Sequence, residues 1–146
     1  MSYPAAKSVI IISPVSTTAA GTATGIVDTL GAAYAVIDVC ATTSNNATNN
    51  PSVLNLAEAT DTVASNFTNV ATFVGDSAWV IPNADTANSQ IVAQFRVPLT
   101  GRKRYLRVNV SPVTTQTIWS HGRLYTGDEE VPTPTLTGAA AVVVGV

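Results

Sequence analysis

The chain is poor in charge. Only 11% of its 146 residues are Asp, Glu, Lys or Arg, against roughly 25% in ordinary soluble domains. It holds one cysteine, Cys40, so no internal disulfide can form. It holds one histidine, His121. A zinc site draws several ligands from Cys and His, and one of each far apart in sequence argues against it. Lys and Arg are missing between Ser8 and Phe95, where Asp28, Asp38, Glu58, Asp61, Asp76 and Asp85 lie. No apolar run reaches membrane-span length, and the tail Gly138–Val146 is far too short to cross. The N-terminus shows no basic stretch followed by an apolar core, so no signal peptide is expected. Heptads and long segments of 3.6-residue period are also missing, which argues against a helical protein.

What is present is small and β-branched. The hydrophobic fraction is 46%, much of it Ala and Val, and the rest is rich in Thr, Ser and Asn. Such a surface is cheap to desolvate and suits a chain packed against others. The same composition also arises simply from many turns. The length fits one domain with a core of its own. The net charge is −2, so no field for nucleic acid or an anionic membrane is expected. Six of the seven basic residues lie between Arg96 and Arg123. That polarity predicts an acidic and a basic region able to meet a partner, or copies of the chain, in register.

The clearest pattern is Gln90–Val110. Ile91, Ala93, Phe95, Val97 and Leu99 alternate onto one face, and Leu106, Val108 and Val110 onto another. These read as two paired, adjacent core strands joined by a tight turn at Thr100-Gly101, with Arg102, Lys103 and Arg104 at the turn. Before them, strands are expected at Lys7–Ser13, Gly25–Thr29, Ala33–Thr42 and Val53–Ala57, with Val53 and Leu56 as anchors. Ala33–Thr42 is apolar on both faces, which predicts a central strand covered on both sides. Pro14–Thr24, rich in Thr, Ala and Gly, has little power to form a helix. Glu58–Ser65 is ambiguous between loop and helical turn, and Asn66–Val74 between strand and extended connection. Thr43–Ser52 and Pro82–Ser89 read as loops. Thr115–Tyr125 is the last strand. Ile118, Ser120, Gly122 and Leu124 share one face, and Thr117, Trp119, His121, Arg123 and Tyr125 the other.

About eight short strands predict an all-β, antiparallel β-sandwich, jelly-roll-like. The expected domain covers 1–130, with an N-terminal arm at 1–7. An extended C-terminal arm at 131–146, punctuated by prolines and ending in valines, is expected to dock on a neighbouring subunit.

No catalytic set emerges. His121 lacks a nucleophile motif beside it, so a surface or interface role is expected and the chain is not expected to be an enzyme. Oxygen ligands for calcium exist at Asn83, Asp85 and Asn88, and at Asp128, Glu129 and Glu130. Neither group has EF-hand spacing, and no metal or cofactor is expected. Arg102, Lys103, Arg104 and Arg107, with Tyr105, have the basic-plus-aromatic mix of nucleic-acid binders. Salt bridges to the acidic region explain them better in a chain of negative net charge.

The runs GRKRYLRVNVSP, IPNADTANSQIVAQFRVPL, TLGAAYAVIDVCATT, LNLAEATDT and NFTNVATFVGD resemble small structural proteins of tailed bacteriophages. The resemblance covers roughly Asp28–Val110. It implies a virion component, a head decoration (cement) protein on the capsid exterior. Its implied partners are the major capsid protein and further copies of itself, as a trimer rather than a dimer. The candidate protein interface is then Arg102, Lys103, Arg104, Arg107, Trp119, His121, Arg123 and Tyr125. A carbohydrate- or receptor-binding module that stacks sugars on Trp119 and Tyr125 is the alternative.

Overall fold

Runs of Val, Ile and Ala at period two form strands because β-branched side chains pack well on a pleated surface. A computed structural model describes residues 6–42, 51–82, 91–127 and 139–145. Nine strands lie among them: β1 (Ala6–Thr17), β2 (Ala23–Asp28), β3 (Tyr34–Ala41), β4 (Val53–Ala59), β5 (Thr68–Val74), β6 (Ile91–Pro98), β7 (Tyr105–Ser111), β8 (Gln116–Tyr125) and β9 (Val142–Val144). One sheet, here sheet A, has the order β1-β8-β3-β6-β9; the other, sheet B, has β2-β7-β4-β5. All pairings are antiparallel except β6 with β9.

The first eight strands pair 1 with 8, 2 with 7, 3 with 6 and 4 with 5. That is one long hairpin folded over on itself, the connectivity of a jelly roll. The expected all-β sandwich is therefore the architecture. Its pairing rule also corrects the sequence reading of Gln90–Val110. β6 and β7 are not adjacent paired strands; they lie in opposite sheets. Their apolar faces meet in one core, where Phe95 and Val97 pack with Leu106 and Val108. A tight turn does exist between them. Arg102 N–H donates to Leu99 C=O at 3.0 Å, and Gly101 has φ +79°, the conformation a type II turn reserves for glycine. That turn is part of an arch from one sheet to the other.

The core is aliphatic with one aromatic knot. Phe95 meets Phe73 and Trp79 edge-on, at 5.4 and 5.7 Å between ring centres. In β4 the anchors are Leu54 and Leu56; Val53, expected to be one, is exposed. β1 continues through Pro14 to Thr17, beyond the strand end expected at Ser13. As an edge strand it tolerates proline, and its register shifts twice between Ile10 and Val15. β1 and β2 close one side of the sandwich. There Gly25 leaves room for the backbone of β1: a Cβ would lie 1.9 Å from the Ile11 carbonyl oxygen. The ambiguous stretch after β4 ends in one 3-10 turn at Ala64–Asn66.

β3 is the central strand expected from its composition. Val36, Asp38 and Cys40, on the face away from sheet B, are as buried as the core. The C-terminal segment corrects another reading. Residues 139–145 are not a free arm but lie along β6 of their own chain, with Val143 buried on the core side. Residues 1–5 of the expected N-terminal arm, 131–138 of the C-terminal one, Thr43–Asn50 and the loop calcium candidates fall outside the described residues.

Candidate functional site

Jelly-roll pairing lays the first half of the chain against the second. It sets Asp28, Asp38 and Glu58 of β2, β3 and β4 against basic residues that lie between Arg102 and Arg123. Arg104, just before β7, meets Asp28 at the end of β2. Its Nε donates to Oδ1 at 2.9 Å and its Nη2 to Oδ2 at 2.7 Å. This two-pronged contact, with the Leu30 N–H, lowers the Asp28 pKa to about 2 and raises that of Arg104. Glu58 at the end of β4 accepts from the Lys103 backbone N–H at 3.1 Å and lies 3.6 Å from Arg102 Nη1. Arg107, on the outer face of sheet B, donates to the Ala64 carbonyl at 3.1 Å and covers the Phe67 ring at 4.5 Å. It thereby fastens the β4–β5 connection down. The guanidinium groups of the candidate basic cluster are thus engaged within the chain, while the Lys103 ammonium has no ion pair among the described residues.

The other candidate group stays together. Trp119, His121, Arg123 and Tyr125 project from β8 on the outer face of sheet A. Tyr34 of β3 lies across from Tyr125, Cys40 from Trp119, and Asp38 from His121. Asp38 is the hub. Its carboxylate is buried, accepts from Gln94 Nε2 at 2.8 Å, and meets His121 Nε2 at 3.1 Å and Arg123 Nη2 at 3.9 Å. Gln94 Oε1 in turn accepts from Arg96 Nε at 3.0 Å. A polar row therefore runs from β8 through β3 to β6, buried at Asp38, Gln94 and Arg96 and half exposed at His121 and Arg123.

Three hub residues, Asp38, Gln94 and Arg96, were absent from the sequence-based candidates. Their signal was a lone charge within the apolar strand Ala33–Thr42, since a buried carboxylate needs partners. Which partners it takes depends on non-local pairing.

A carboxylate beside an imidazole can orient a base. Among the described residues, however, no hydroxyl or thiol hydrogen-bonds to His121. The nearby Cys40 thiol is held protonated, its pKa pushed up to about 12 by burial and by the Asp38 charge. No group of three potential metal ligands occurs among the described residues. A shallow cavity of about 280 Å³ lies between β1 and β8, lined by Ser8, Val9, Ile10, His121, Gly122 and Arg123. Ile10, at its rim, is 73% exposed. What this face offers is partly buried aromatic rings, two half-exposed basic side chains and an open aliphatic edge, held on the sheet by the polar row. No protein-family model, curated protein or solved structure matches the chain.

Proposed function

We propose that the chain is a structural virion protein: a head decoration protein that binds the outside of a phage capsid and stabilises it through lattice contacts. One observation carries this reading beyond the sequence resemblance. Among the described residues the fold pairs Asp28, Asp38 and Glu58 with basic side chains of its own and leaves bulky aliphatic side chains, among them Ile10 and Leu30, open to solvent. Such a surface loses little on desolvation and gains by contact with protein. Each contact is weak alone; repeated over a lattice they add by multivalency. The partners in this reading are the major capsid protein and further copies of the chain, three around a local three-fold site. The jelly roll hosts capsid and lectin domains alike and does not by itself select a function.

Size-exclusion chromatography with light scattering tests the self-association directly. A trimer is expected, and a monomer at all concentrations contradicts it. The internal pairing also changes which substitutions are informative. Reversal of Arg102 or Arg104 removes a partner from Glu58 or Asp28 and so disturbs β-strand ends as well as any interface. Lys103→Glu and Ile10→Asp alter surface groups and leave those bonds intact.

A second reading rests on Trp119 and Tyr125 flanking His121 and Arg123 on one strand. That row can stack and hydrogen-bond a sugar. Glycan binding lost in Trp119→Ala supports it, and a glycan screen without hits removes it.

A further inference from the structure

We infer that β9 is an exchangeable strand, and that the edge of β6 accepts residues 139–145 of a second copy of this chain. The inference rests on the assembly reading and names the contact that joins the copies.

The acceptor is built for this segment. Ala140 N–H donates to the Ile91 carbonyl at 2.9 Å, Gln94 N–H to the Ala141 carbonyl at 2.8 Å, and Gly145 N–H to the Arg96 carbonyl at 2.8 Å. Val143 sits opposite Phe95 and is buried, while Val144 is 55% exposed. At Gly145 a Cβ would stand 2.7 Å from Phe73 Cζ, so any larger residue there must displace the buried Phe73 ring. The segment Val142-Val143-Val144-Gly145 fits in sequence as well as in backbone. β6 is held in place by β3 on its other side, so the acceptor edge does not depend on the tail.

The topology makes the donor separable. β8 ends at the level of Pro98 on β6, because both Tyr125 and Pro98 lie opposite Tyr34. β9 begins at the other end, beside Ile91. The end of β8 and the start of β9 are therefore about 27 Å apart, from strand rise and spacing. Residues 128–138 join the two strands, and a chain of that length reaches about 40 Å. The slack permits the same register on a neighbour. An exchanged strand makes the same bonds as its own, which is what makes domain swapping inexpensive. Only one of its side chains is deeply buried, so little holds it in place in the monomer. Copies crowded on a shell raise the effective concentration of the foreign tail.

Disulfide trapping tests this. In a Cys40→Ala background, one chain carries Gln94→Cys and another Val142→Cys, residues that are register partners. The two are unfolded together, refolded and oxidised. A covalent dimer is expected from the mixture and from neither chain alone. No dimer, while a chain with both cysteines closes on itself, overturns the exchange. Arg96→Cys with Val144→Cys, the next register pair, replaces the first pair if that one fails to fold or close. Shell binding then separates the two levels of the proposal. A chain locked shut within itself should bind shells at least tenfold more weakly than wild type. Equal binding overturns the exchange alone; a wild type that ignores shells overturns the decoration reading.

Discussion

Replacing Asp38 with alanine tests whether the polar row on sheet A is a supporting structure. Asp38 and Gln94 are each 3% exposed. Truncation leaves the Gln94 amide without its 2.8 Å acceptor where water does not reach, a loss of about 1–3 kcal/mol. His121 and Arg123 also lose a partner, but their side chains are 47% and 44% exposed. Water replaces much of that contact, so each adds only about 0–1 kcal/mol. The total for Asp38→Ala is about 1–5 kcal/mol. Asp38→Asn keeps an acceptor for Gln94, and its amide can donate to a neutral His121, so its cost is only about 1 kcal/mol. Urea unfolding followed by tryptophan fluorescence and circular dichroism measures both, provided the denaturant slopes agree. An asparagine variant as damaged as the alanine one refutes the reasoning, because charge rather than hydrogen bonding would then dominate. An alanine variant within about 0.5 kcal/mol of wild type refutes the row as a support altogether.

Gly25→Ala should destabilise the domain by about 2 kcal/mol or more in the same assay, since its Cβ would meet backbone atoms of Ile11 at 1.9 and 2.5 Å; a neutral variant contradicts the close approach of β1 and β2. Cys40 should resist a thiol reagent at pH 8 in the folded protein and react once urea unfolds it; rapid native labelling contradicts its burial. Asp28 is lowered from its ordinary 3.8 to about 2, so the stability it contributes is full above about pH 4 and is lost as the pH falls through about 2. Asp28→Asn should therefore be less stable than wild type at pH 6 and converge with it at the acid end; a gap that persists below pH 2 contradicts the ion pair.

Patterns within one strand were legible in the sequence. The alternation in Thr115–Tyr125 places Ile118, Ser120 and Leu124 inside and His121 and Arg123 outside, as the structure does. The two apolar faces of Ala33–Thr42 marked the central strand. What joins strands was not legible. A hairpin and an arch between sheets can both show two apolar stripes, a glycine turn and charged residues at the bend, so Ile91–Leu99 and Leu106–Val110 read as a pair. The charge segregation was visible, yet its meaning lay in the topology. Once β2 lies on β7 and β3 on β8, Asp28 finds Arg104 and Asp38 finds His121 and Arg123 within the chain. The composition of the tail was equally visible. That it closes on its own β6 depends on a glycine fitting beneath Phe73, a contact between residues far apart in sequence.

Co-sedimentation of the purified protein with empty shells of its cognate major capsid protein tests the proposed function most directly. Saturable binding at a fixed ratio to the capsid subunits is expected, weakened about tenfold in Ile10→Asp while the fold remains intact, a loss worth about 1.4 kcal/mol. A folded protein that stays in the supernatant at every concentration contradicts the decoration reading.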